Sequence, residues 1–305
     1  MPIANNVDNY LVGASQVDRI YRGGDIVWER FNGLLDLFPN AAVAYSLRRL
    51  SKNYAGSAIR VRRGSDNAEQ DIGFVDNELD TATLVSFIGA SDGWVTTWYD
   101  QSGLGLDATQ PTASVQPFIV LAGVLQELNG KPCVRFVDNS GAAVLDRLNV
   151  PLFHVNTVPY LAYFATYGLN LAAVDPYIIG GANNDRGMEL LHLTSTRRLR
   201  PATIRTGGSV VANGSALTIS QQYILAQTAN RVRLKLYLNN VLDIDVADRN
   251  EDFNMPSPTY YMGNMGAAIS ITADFSISEF VAYARDVEAE ISGINTNTNE
   301  FYGAY

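Results

Sequence analysis

The chain has 305 residues, 47% of them apolar and 10% aromatic, enough to bury one large core or two modest ones without disulfides or metals. Thirty-one acidic against 22 basic side chains leave a net charge of −9, which argues against a partner such as nucleic acid, whose phosphates must be neutralised. The single cysteine, Cys133, cannot form an internal bridge. The two histidines, His154 and His192, cannot build a multi-histidine metal site, and no run of about 18 apolar residues predicts membrane insertion.

In chain order, the first predicted element is a hairpin. Val17-Asp18-Arg19-Ile20-Tyr21-Arg22 alternates, Gly23-Gly24 supplies a two-residue turn with positive φ, and Asp25-Ile26-Val27-Trp28 returns. An isolated hairpin is marginal, so its apolar side (Ile20, Ile26, Trp28) needs a surface to rest on. Residues 34–38 read as a short helix, and Asn40 reads as the cap of a second one over 41–50. Ala58-Ile59-Arg60-Val61-Arg62-Arg63 alternates apolar and basic, the pattern of a half-buried strand, and Asp80 caps a further short helix through Ile88. From Trp94 onward strands and turns dominate: 94–99, 117–121, 132–137, 160–167, 177–180, 189–193, 221–226, 232–238, 241–246, 259–262, and 269–285 with a break near Ala273. Turn chemistry separates many of them, at Asn129-Gly130, Asn213-Gly214 and Asn239-Asn240, the last giving the clearest hairpin. About a dozen strands without alternating long helices predict a two-sheet antiparallel sandwich.

Single residues carry little chemistry by themselves. Trp98, Tyr99, Asp100 and Gln101 place an aromatic pair beside two polar groups able to hold a sugar, although Asp100 and Ser102 also suit a locally bonded turn. Arg48, Arg49, Arg60, Arg62 and Arg63 can receive a carboxylated glycan or pair with nearby Asp66, Glu69 and Asp71, and the pairing is favoured. Cys133 reads as a buried small hydrophobe, and His154 and His192 lack second ligands at metal spacing. Asn183-Asn184-Asp185 and Asp243-x-Asp245 lack alternating oxygen ligands and read as a turn and a strand edge; no metal and no cofactor is expected.

Three stretches carry a resemblance: Tyr45-Ser46-Leu47-Arg48-Arg49-Leu50, Ala58 through Asn67, and Trp98-Tyr99-Asp100-Gln101-Ser102-Gly103. Together they resemble the framework of the sandwich domain of fungal-type alpha-L-arabinofuranosidases, which recurs in concanavalin A-like modules of bacteriophage structural proteins. Ile277 through Arg285 is similar to the last strand of laminin-G-like lectin folds. The resemblance implies a mostly β, two-sheet antiparallel concanavalin A-like jelly-roll sandwich over residues 32–305, with short helices near the N-terminus, preceded by a β-hairpin arm in residues 1–31. Val17, Ile20, Tyr21, Gly23, Val27 and Trp28 are similar to openings of phage tail and other virion proteins.

Glycoside hydrolysis needs two carboxyl groups flanking the sugar. In the resembling enzymes the acid lies in a glycine-rich loop, matched here by Met262 through Ala268, which holds no carboxylate. The nucleophile follows a segment similar to Gly187 through Leu193, and here Thr194 to Val210 carries Arg197, Arg198, Arg200 and Arg205 but no acid. The expectation drawn is a non-enzymatic virion protein, a capsid-attached or tail fibre component assembled in the host cytoplasm as a homo-oligomer. Ile20, Tyr21, Val27 and Trp28 would anchor it to other virion proteins, and Trp98, Tyr99, Asp100 and Gln101 would meet host-surface glycans. The alternatives are an arabinofuranosidase-like hydrolase or depolymerase using Asp100, Asp107, Glu189 or Glu279, and a free carbohydrate-binding lectin.

Overall fold

A computed structural model of the chain describes residues 10–12, 15–17, 19–29, 31–137, 146–155, 157–170, 177–181, 188–193, 196–253, 259–263 and 274–305. The fold is the expected antiparallel sandwich. One layer runs in the order Val241–Ala247, Arg233–Leu238, Gln222–Ala229, Leu161–Leu169 and Asp274–Tyr283. The far edge of Asp274–Tyr283 is shared, Val134–Val137 pairing with its first half and Val43–Ser46 with its second. The other layer runs from Glu69–Ile72 through Ile59–Arg63, Gly93–Trp98, Ala108–Thr109, Leu148–Pro151, Thr259–Gly263, Tyr177–Gly181, Met188–Leu193 and Arg198–Arg205 to Gly208–Val211. Phe118–Leu121 pairs with both Gly93–Trp98 and Val134–Val137 and so links the layers.

Two cores follow from this arrangement. Alternate residues of Leu161–Leu169, including Tyr163, Ala165 and Tyr167, enter the core between the layers with Phe280, Ile277, Val61 and Trp98. The opposite face, with Ala162, Phe164, Val281 and Tyr283, is covered by helix α1 (Leu34–Leu37) and by helix α3 (Ile291–Tyr302). Burial on both faces explains the unbroken apolar run of 161–165.

Turn chemistry behaves as read at two hairpins. Asn239 and Asn240 both take positive φ (49° and 62°), as do Asn129 and Gly130 (53° and 72°), matching the right-handed twist of the flanking strands. At the N-terminal hairpin Arg19–Arg22 pairs with Asp25–Glu29, and Gly23 alone of the two glycines takes positive φ. Asp80 caps helix α2 (Thr81–Ile88) by accepting from the Thr83 N–H at 2.9 Å.

Three local expectations are corrected. The helix predicted over 41–50 is the strand Val43–Ser46: all four residues are buried, and a short apolar run cannot be told from a buried helix by periodicity. Asn40 sits at φ 64° rather than capping a helix. Helix α3 was not predicted, because Gly293, two threonines and three asparagines mask its buried stripe of Ile291, Ile294, Asn295, Thr298 and Tyr302. The strand Arg198–Arg205 is not among the predicted strands. Its last arginine is fully buried against Asp248.

Candidate functional site

The turn after Gly93–Trp98 brings the quoted framework residues together. Asp100 accepts from the Ala44 N–H (2.9 Å), the Ser102 N–H (2.9 Å), the Ser102 hydroxyl (2.6 Å) and the Leu106 N–H (3.1 Å). Gln101 accepts from the Leu50 N–H at 2.8 Å and donates to the carbonyls of Ser46 and Arg48 at 3.0 Å each. Two side chains thereby satisfy backbone groups of the 44–50 segment that would otherwise be buried without partners. Trp98 is wholly buried, and Tyr99 donates its hydroxyl to Asp71 at 2.7 Å. Burial and that carboxylate push the Tyr99 phenol up to about 12. Of the four residues read as a sugar contact, Tyr99 is half-buried and the other three lie inside the fold.

The arginines pair locally. Arg60 bonds Asp71 through two nitrogens (2.7 and 2.8 Å), Arg63 does the same with Asp66 (2.9 and 2.7 Å), and Arg62 reaches Gln116 and Asn67. Arg48 turns inward, its Nε and Nη2 donating to Glu279 at 2.7 and 3.0 Å beneath α3. Ser46 and Thr298 also donate to that carboxylate, at 2.8 and 3.2 Å.

The carboxylates raised from sequence sit in different surroundings. Asp100 and Glu279 spend their oxygens on internal donors, and Asp107 accepts from the Asp100 N–H at 2.9 Å. Glu189, in Met188–Leu193, is buried. Burial, the neighbouring Tyr260 and the Glu189 carboxylate hold the Tyr163 phenol well above its ordinary range. Tyr260 in turn lies 2.9 Å from His154 Nε2, and Phe153 packs against Tyr163, His154 and Tyr260. Burial drives His154 down to about 4, so it is neutral at pH 7. Sequence reasoning singled out Glu189 and His154 separately; nothing in their spacing showed that two tyrosines stand between them.

Arg205 is sealed in the same interior, ion-paired with Asp248 and stacked 3.7 Å from the Phe253 ring centre. Thr203 donates to that aspartate at 2.7 Å. Cys133 is buried and its thiol is pushed up to about 11 by burial. Residues 264–268 of the glycine-rich stretch, Asn183-Asn184-Asp185 and the side chains of Tyr21, Val27, Trp28 and His192 lie outside the described residues; Ile20 pairs with Trp28 across the hairpin.

Two of the surface grooves differ sharply in chemistry. The larger, about 550 Å3, is acidic, with Asp76, Glu78, Asp80 and Glu127 on its walls and Glu78 bonded to Lys131. The second, about 290 Å3, lies where the end of α1, the 51–54 loop and the 101–103 turn meet.

A protein-family model described as the catalytic domain of alpha-L-arabinofuranosidase B matches residues 38–118. Among solved structures, an arabinofuranosidase complexed with arabinofuranosyl-alpha-1,2-xylobiose superposes with a TM-score of 0.62 at 14% identity, over 84% of this chain and 62% of its own. A GH54 α-L-arabinofuranosidase soaked with a cyclic sulfate inhibitor gives 0.62 at 13% identity with the same coverage. The chain thus spans 62% of the length of these enzymes, and at such identity the likeness establishes the fold. No curated protein matches the chain. These matches overturn the expectation of a non-enzymatic virion component: they run to arabinofuranosidases, the reading placed second from sequence because its catalytic positions looked empty.

Proposed function

We propose that the chain is a glycoside hydrolase of the arabinofuranosidase type. The observation that carries this reading is the family match over residues 38–118. It covers the strand Val43–Ser46, Arg48 and the Asp100–Gln101 turn, the side chains that bond the framework internally. The similarity in fold over 84% of the chain supports it.

The chemistry asks for a carboxyl group able to exchange a proton or attack the sugar. Of the carboxylates raised from sequence, we assign the reaction to Glu189, which the strand Met188–Leu193 holds in the buried interior. Glu189 is buried, and its charge bears on the Tyr163 phenol, an enclosed setting of the kind in which carboxyl groups carry out such chemistry. Its partner carboxyl would lie about 5 to 9 Å away across the bound sugar.

Release of arabinose from 4-nitrophenyl α-L-arabinofuranoside and from arabinosylated xylan, read as nitrophenol and new reducing ends, tests the reading. The intact chain is expected to release both products. Glu189→Gln should lower kcat by about 10²- to 10⁴-fold while the thermal unfolding midpoint stays close to the parent value. Absence of release from the intact chain overturns the proposal, and full activity in Glu189→Gln overturns the assignment of that residue.

A further inference from the structure

We propose that the groove between α1, the 51–54 loop and the 101–103 turn is a binding subsite for one neutral pentose or hexose unit of a glycan. It is separate from the chemistry assigned to Glu189 and stands whether or not the chain hydrolyses anything. Three observations carry it.

The first is charge. In a protein of net charge −9, whose larger groove is acidic, no Asp, Glu, Lys or Arg lines this one among the described residues. Its walls are two asparagines, serines, Gln101, Tyr54 and short apolar residues. Such a lining repels no ligand and pays no desolvation of ions, which suits an uncharged polyhydroxylated ring.

The second is rigidity. The Tyr54 hydroxyl donates to the Ser57 carbonyl at 2.8 Å, and its ring rests edge-on against Phe74 at 6.3 Å, which fixes the plane it presents. Ser51 donates to Asp36 at 2.9 Å, and Gln101 is bonded at both ends of its amide. Walls held by internal bonds lose little entropy on binding.

The third is unspent hydrogen-bonding capacity. The exposed carboxamides of Asn40 and Asn53 line the groove and bond no other described residue. Asn40 is held at φ 64°, a conformation glycine adopts more easily. Each carboxamide offers two donors and an acceptor, the pairing that vicinal hydroxyls need, while the tyrosine face takes the C–H side of the ring. The volume, about 290 Å3, holds a single sugar unit rather than a chain.

Titration with arabinotriose, xylotriose and cellotriose, followed by calorimetry and by amide chemical shifts, tests the proposal. It is run on the intact chain and on Glu189→Gln, so that failure of the hydrolase reading and failure of this subsite are distinguishable. At least one probe is expected to bind both proteins and to shift amides of residues 40, 53, 54 and 102. Tyr54→Ala and Asn53→Ala should each weaken it by about tenfold or more, while Tyr54→Phe, which keeps the ring, retains most of the affinity. Asn40→Gly removes the carboxamide at a position glycine tolerates, so its loss of binding cannot be laid to misfolding. Failure of every probe to bind, shifts confined to another surface, or undiminished affinity in Asn40→Gly and Asn53→Ala would each overturn the subsite.

Discussion

His154 shows how one buried side chain sets a pH response. Its ring is enclosed by Phe153, Phe253 and Tyr260, and burial lowers its folded value to about 4 from the ordinary 6.5. Because that value is depressed for a base, the unfolded chain takes up the proton first as pH falls. The stabilisation is therefore complete above pH 6.5, declines between 6.5 and 4, and is lost below, a change on the order of 3 kcal/mol. Asp66, held down to about 2 by Arg63, contributes its loss only at more acid pH. Urea unfolding at pH 7.0, 6.0 and 5.0 should show stability falling in the parent and a flatter profile in His154→Gln. The residue scale was also the most legible in sequence where bonds are local: Asp100 and Ser102 are two residues apart, and their turn is as read. The partner of Arg48 was not legible, since Glu279 lies 231 residues away and is reached only through the pairing of Val43–Ser46 with Asp274–Tyr283.

At the scale of elements, sequence pattern worked where one face meets solvent and failed where both are covered. Ile59–Arg63 alternates because its arginines look outward, and its strand was recognised. Val43–Ser46 is buried on both faces and was mistaken for a helix, while α3 was passed over because its asparagines and threonines are poor helix formers. That helix forms through tertiary packing: Ile291 and Ile294 belong to one buried cluster with Val281, Tyr283 and Ala162. Ile294→Asp, which places a carboxylate in that contact, should cost about 3 kcal/mol or more and expose the outer face of the layer. Dye binding to apolar surface, together with a lowered thermal midpoint, checks it.

For the molecule as a whole, the controlling fact is that Asp274–Tyr283 pairs with Val43–Ser46, Val134–Val137 and Leu161–Leu169. The first layer cannot close until nearly the whole chain is available, so folding waits on contacts of long sequence separation and should take milliseconds to seconds. A chain ending at residue 273 is expected to give no cooperative unfolding transition by circular dichroism, and a sharp transition from it would contradict the account. The sandwich itself was readable because strand-length apolar runs and asparagine turns recur along the chain; the surroundings of the candidate residues were not, because Tyr163 and the Tyr260–His154 pair come together only through the stacking of two layers. The margin of the first layer has its own consequence. Among the described residues Val241–Ala247 pairs with Arg233–Leu238, and it carries exposed Val241 and Leu242, a template onto which a second copy could add a strand. Asp243 and Asp245 alternate along it, the first gripping the Ser215 loop and the second Arg233, and charges so placed are expected to disfavour such strand addition.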